Sequence, residues 1–106
     1  MSKLYIQAEE PDKKLTVLRL SGEFEGYAAL EGKEELFRHL ESKSSGTLML
    51  DMSGIEYIDS AALGILLEMS KTADGKKISF GLLNVHDPVK KVLEVTQLDK
   101  VLKIFE

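Results

Sequence analysis

Asp59-Ser60 is the pair of side chains in this chain best suited to chemistry. It lies in the segment Asp59-Ser60-Ala61-Ala62-Leu63-Gly64, where an apolar approach meets a long apolar stretch. A carboxylate and a hydroxyl at such a junction have two readings. Either one can accept a hydrogen bond from the free N–H groups of a first helical turn, which stabilises a helix by about 1 kcal/mol. An exposed hydroxyl there is also a place where a phosphate would matter, because it adds about −1.5 to −2 charges. The helix dipole tolerates that anion. The neighbouring carboxylates Asp59 and Glu56 do not, and nor would an acidic or apolar surface docked closely against it. Nucleophilic catalysis by Ser60 would need a base and an oxyanion hole. The chain offers His39, late in a first helix, and His86, in a loop, with no Gly-x-Ser-x-Gly elbow. Ser53-Gly54 and Ser79-Phe80-Gly81 form no lysine-bearing phosphate loop. No catalytic residue, metal site or cofactor is expected. A nucleotide held by the Ser60 helix N-terminus alone would bind weakly.

Hydropathy patterning supplies the scaffold that must position this pair. Residues 4–9 and 15–20 predict two strands joined by the turn Glu10-Pro11-Asp12-Lys13-Lys14. Residues 27–41 have helical spacing. Ala29, Leu36 and Leu40 share one face, Leu30 and Phe37 lie beside it, and Gly32 falls on the same side. Residues 47–52 read as a buried strand and 61–73 as a helix. Asp74-Gly75-Lys76 should end that helix, with Gly75 free to take the left-handed cap. Residues 77–83 predict a strand, Pro88 suits the first turn of a helix running to about residue 95, and 101–105 a last strand. The order ββαβαβαβ predicts one α/β domain over residues 1–106. Its mixed sheet of about five strands starts with an antiparallel hairpin and continues by parallel, right-handed crossovers, with three or more helices packed on it.

At about 100° per residue, Ala62, Leu63, Ile65, Leu66, Leu67, Met69 and Ala73 occupy the wide apolar side of the second helix. Ser60, Ala61, Gly64, Glu68 and Lys71 share the narrow remaining side. Ser60 therefore begins the one face of this helix that can meet solvent. Ala61 and Gly64 keep that face shallow, so another protein's backbone or a nucleotide could approach closely.

Composition narrows the class. The 106 residues carry 14 basic and 18 acidic side chains, for a formal charge of −4, and no Cys. That excludes a disulfide framework, a Cys-based zinc site and a thiol nucleophile, and fits a reducing compartment. A mild acidic balance argues against a nucleic-acid binder. No apolar run reaches the roughly 18 residues that span a bilayer, and the first residues lack the apolar core of a signal peptide. The expectation is a small cytoplasmic domain with no direct membrane insertion.

Four stretches then resemble the STAS family, the sulphate-transporter and anti-sigma-factor-antagonist domain. Ser21-Gly22-Glu23-Phe24-Glu25 is similar to the family's Gly-Glu-Leu-Asp, and Leu50-Asp51-Met52-Ser53-Gly54-Ile55 to its central strand and turn. Tyr57-Ile58-Asp59-Ser60-Ala61-Ala62-Leu63-Gly64 resembles its aromatic-Ile/Met-Asp-Ser-x-Gly-Leu-Gly motif. The stretch from Asn84 to Asp99 resembles a C-terminal pattern ending in Thr-Gly-Leu-Asp. The resemblance implies an anti-sigma factor antagonist whose phosphoacceptor is Ser60. Its partners would be an anti-sigma factor with Ser/Thr kinase activity and a Ser/Thr phosphatase. The unphosphorylated form would bind the anti-sigma factor and free the sigma factor. Glu23, Glu25, Gly26, Asp59, Ala61, Gly64 and Glu68 would form the partner-binding surface. Glu23, Glu25, Glu56 and Asp59 should gather around Ser60, and Tyr57 should pack the approach to the helix. An adaptor in a signalling assembly, or a partner of a transporter's ATPase, would use the same face without phosphorylation. The chain departs from the family pattern at four places. Ala62 replaces a Gly and narrows close approach. Glu25 stands where Asp is common. Gly32 replaces an apolar residue, implying local repacking. Gln97 replaces a Gly, and because a non-Gly residue is strained in a left-handed cap, that helix is expected to end differently.

Overall fold

A computed structural model describes residues 2–105. The elements are β1 (Leu4–Asp12), β2 (Leu15–Gly22), α1 (Gly26–Glu41), β3 (Thr47–Gly54), α2 (Ser60–Lys76), β4 (Ser79–Leu83), α3 (Asp87–Val95), a 3-10 turn at Leu98–Lys100 and β5 (Lys103–Phe105). The sheet order is β1-β2-β3-β4-β5. β1 and β2 are antiparallel; the other neighbours are parallel. The α/β reading, the hairpin and the crossovers all hold. Each parallel strand is added on the same side of its predecessor, so right-handed crossovers stack the helices on one face.

Register explains the core. Ala8, Leu18, Leu50, Leu82 and Ile104 are direct partners across the five strands. Side chains alternate along a strand, so this row and its neighbours Leu20, Leu48, Met52 and Phe80 face the helices. The next row, Gln7, Arg19, Asp51, Leu83 and Phe105, faces away from them.

Several details differ from expectation. The hairpin turn is shorter than five residues, because β1 runs on through Pro11 to Asp12 with a register shift between Glu9 and Asp12. β1 is an edge strand, where a missing N–H costs no ladder bond. Leu30 is not part of the core: it is 57% exposed, and Ala28 is buried instead. Gly32 is the repacked position. A side chain there would run into Leu4, whose Cδ2 would lie 2.7 Å from an added Cβ. Leu4 itself is buried.

The helix ends also differ. Gly75 stays inside α2, and Lys77 takes the left-handed cap with φ 59°. Ile78 N–H then bonds Ala73 O at 2.9 Å and Lys77 N–H bonds Asp74 O at 3.1 Å, a Schellman pattern. Both Ile78 and Ala73 are buried, so returning Ile78 to the core sets where the turn must fall. Gln97 takes the left-handed position after all, with φ 62°. Its N–H bonds Glu94 O, and the Thr96 hydroxyl donates to Val92 O and Leu93 O. α3 thus ends in the left-handed turn of the glycine pattern despite the missing glycine, and the expectation of a different ending does not hold.

Candidate functional site

Two loops at the C-terminal ends of parallel strands build the Ser60 region. The β2–α1 loop is anchored by Phe24, which is fully buried, and the β3–α2 segment by Ile58. The two residues form an isolated parallel bridge that holds the loops side by side. Burying a Phe ring stabilises such an anchor by about 2–3 kcal/mol. In the extended segment before α2, Ile58 turns inward and Tyr57 outward, as alternation requires. Tyr57 is 66% exposed, so it does not pack the approach as expected.

Asp59 is the N-cap of α2. Its Oδ1 accepts from Ala62 N–H at 3.1 Å, and its Oδ2 accepts from Gly26 N–H at 2.8 Å. Glu25 caps α1 with no side-chain bond of its own. One carboxylate therefore serves the first turns of two helices. The choice between Asp59 and Ser60 as the cap is settled in favour of Asp59. Leu63 N–H bonds the Asp59 carbonyl. Ser60 is left exposed, with no hydrogen bond of its hydroxyl among the described residues.

Glu23, Glu25, Glu56 and Tyr57 line one open recess with Gly22, Ser53 and Gly54. Three of the four expected carboxylates thus share a surface. The fourth, Asp59, stands in the same corner but is turned to its two N–H donors. Along α2, Ala61 is half-buried and Gly64 and Glu68 are exposed. Glu68 pairs with Lys33 of α1 at 3.1 Å. Ala62, the residue in place of the motif's glycine, is fully buried. Its methyl points into the core, so it does not narrow the docking face.

A second polar cluster supports this corner from the open side of the sheet. Asp51 is 8% exposed. It accepts from Ser53 N–H at 3.0 Å, from Asn84 Nδ2 at 3.1 Å and from Arg19 Nε at 3.4 Å. Burial would raise its carboxyl, but the bonds from Asn84, Ser53 and Arg19 outweigh that and hold it below the usual carboxylate range. Arg19 also pairs with Glu9 at 3.2 Å, and His86 Nε2 lies 2.6 Å from Ser53 O. These contacts tie the end of β3 to the loop after β4. Sequence reasoning used Asp51 only as part of a motif; the signal was a carboxylate alone in the apolar run Leu48-Met49-Leu50-Asp51-Met52. Among the described residues, no three His, Asp or Glu side chains converge as a metal site, and no helix is long and apolar enough to cross a membrane.

Comparison with known proteins agrees with this geometry. The profile of the STAS domain matches residues 5–106. A Thermotoga maritima protein described as an anti-sigma factor antagonist is 30% identical over 74 residues, 70% of this chain and 66% of that relative's own length. The structure of a Thermotoga maritima protein so described superposes with a TM-score of 0.82 at 24% identity, covering 95% of this chain and 86% of the other. The anti-sigma F factor antagonist of Paenibacillus polymyxa is 22% identical over 97 residues, 92% of this chain and 83% of that protein. The anti-sigma factor antagonist SpoIIAA has a similar fold in its unphosphorylated form, with TM-score 0.78, 20% identity, and 96% and 89% coverage of the two chains. Its phosphorylated form, from Bacillus, gives 0.71 at 19% identity, with 96% and 92% coverage. STAS-domain anti-sigma factor antagonists are regulatory binding proteins rather than enzymes. With its fold, its loop motifs and a profile match over nearly its whole length, the chain belongs to the STAS domain family.

Proposed function

We propose that this protein is an anti-sigma factor antagonist, a binding module switched by phosphorylation of Ser60. In the unphosphorylated state it binds a kinase-type anti-sigma factor and releases the sigma factor. The kinase then switches it off: Ser60 Oγ attacks the γ-phosphorus of ATP, loses its proton and displaces ADP. A Ser/Thr phosphatase restores the hydroxyl. The reading places the protein in the cytoplasm, where sigma factors act.

The observation that carries this reading is the division of labour between Asp59 and Ser60. Asp59 does the capping, so the exposed Ser60 hydroxyl is free to react without loss of a structural bond. The existence of a phosphorylated form of SpoIIAA supports the same reading. A phosphate on Ser60 would stand beside Asp59 and near the recess of Glu23, Glu25 and Glu56. Buried unpaired in an interface, such a charge would cost about 3–5 kcal/mol. Docking would use Glu23, Glu25, Gly26, Asp59, Ala61, Gly64 and Glu68, with residues 1–106 acting as one domain, a reading supported by the family match over residues 5–106.

The test is incubation with a cognate kinase-type anti-sigma factor and ATP, followed by mass spectrometry. One phosphate is expected, at Ser60, and Ser60→Asp should abolish the complex. An unmodified Ser60, together with a Ser60→Asp variant that binds as well as wild type, would refute the reading.

A further inference from the structure

We propose that the shallow saddle between α1 and α2, walled by Tyr27 and Leu30 and floored by Gly64, receives an apolar side chain of the anti-sigma factor. The proposal rests on the antagonist reading and names what that partner must present.

α1 and α2 both return from the end of one parallel strand to the start of the next, so they run side by side in the same direction. Two contacts fix their alignment: Gly26 N–H to Asp59 Oδ2 at 2.8 Å, and Lys33 Nζ to Glu68 Oε1 at 3.1 Å. Gly26, Leu30 and Lys33 are spaced as i, i+4 and i+7, one stripe along α1. Ala61, Gly64 and Glu68 form the matching stripe on α2. Leu30 therefore lies between the two cross-links on the side that faces α2, and its counterpart is Gly64. Leu30 is 57% exposed and Tyr27 74% exposed. A Cβ built on Gly64 would meet nothing within 4 Å. A leucine wall with no side chain opposite it is a seat for a knob from outside.

The chemistry of the seat selects its occupant. No uncompensated charge lies between the cross-links. Lys33 and Glu68 pair with each other, Lys33 also sits 5.7 Å from the Phe37 ring, and Asp59 holds two N–H groups. An apolar group fits there, and a charged one would lose hydration for no return. Exposed carboxylates outnumber the exposed cation on these faces, Glu23, Glu31 and Glu34 against Lys71, and the chain carries −4 overall. A second copy would set acid against acid, whereas a partner framing its apolar side chain with basic residues is attracted. Ser60 stands one turn from Gly64 on the same face of α2, about 6 Å along the helix. A phosphate there reaches the mouth of the seat.

Calorimetry of the kinase-type anti-sigma factor from the same organism against wild type, Gly64→Leu and Leu30→Ser tests this. Gly64→Leu fills the seat from below, and Leu in place of a helical Gly favours the helix, so its melting temperature should hold or rise. Affinity should fall at least tenfold for Gly64→Leu and several-fold for Leu30→Ser. Wild type that binds, with both variants within twofold of it or tighter, would overturn the seat and leave the Ser60 switch intact. Wild type that binds no such kinase would overturn both. A concentration-dependent dimer lost in Gly64→Leu would assign the seat to a second copy and overturn the proposal.

Discussion

Asp51 and Asp59 both hold loops in place, yet they do so in different surroundings. Asp51 is almost fully enclosed on the open side of the sheet and gathers donors from β2, from the end of β3 and from the loop after β4. Asp59 is only half-buried and gathers two backbone N–H groups from the starts of two helices. The difference teaches how stability and the proposed switching would be kept apart. Asp51 can be lost only with damage to the scaffold, and no proposed docking residue is among its partners. Asp59 stabilises the scaffold and, by occupying the cap, leaves its neighbour Ser60 chemically available.

Substitution at each position should break the comparison. Asp51→Ala strands donors from Ser53, Asn84 and Arg19 and should cost about 2–3 kcal/mol in urea unfolding at neutral pH. The same carboxylate gives a pH signature. Its folded pKa lies below the ordinary value, so its contribution is fully present above the unfolded pKa of about 3.9 and is lost as pH falls through the folded one. Acid unfolding of Asp51→Asn should accordingly show a flatter limb below about pH 4 than wild type. Asp59→Ala removes the cap of α2 and the Gly26 bond of α1, with an expected loss of about 1–2 kcal/mol. Asp59→Asn should recover only part of that stability, since its one amide oxygen can cap α2 as Asp does, while its Nδ2 cannot accept from Gly26 N–H. If both Asp59 variants unfolded like wild type, the shared cap would carry no weight. The smallest effect belongs far from either carboxylate. Gln97→Gly relieves a left-handed residue and should gain about 0.5–1 kcal/mol, read as a higher urea midpoint at unchanged slope.

The alternation of strands and helices was legible because each element keeps its own period: the apolar row through Leu18, Leu50 and Leu82 is visible as strand runs before any pairing is known. Leu30 was not legible. It lies about 120° around α1 from the centre of the buried arc, and two small alanines beside it, Ala28 and Ala29, carry too little hydropathy to centre that arc. Tyr57 misled because aromatic character suggests burial, while the inward position of Ile58 decides the parity of its neighbour. Gly75 offered flexibility, but the need to return Ile78 to the core sent the left-handed turn to Lys77. The motif placed Ser60 at a helix start. It could not say which of two capping side chains would take the N–H groups, because that depends on Gly26, which is distant in sequence and adjacent only in the fold.

The edges of the sheet have a consequence for life at high concentration. β1 is the long edge, and a long edge is a template for strand addition and aggregation. Pro11 removes a donor from it, the register shift between Glu9 and Asp12 breaks its regularity, and the exposed charges nearby resist a flat neighbour. Among the described residues the other edge, β5, offers three, Lys103–Phe105. Both borders are poor templates for another chain's backbone. Strand addition at either border is thereby disfavoured, which in the proposed switch leaves association to the helical side, where a phosphate on Ser60 would control it.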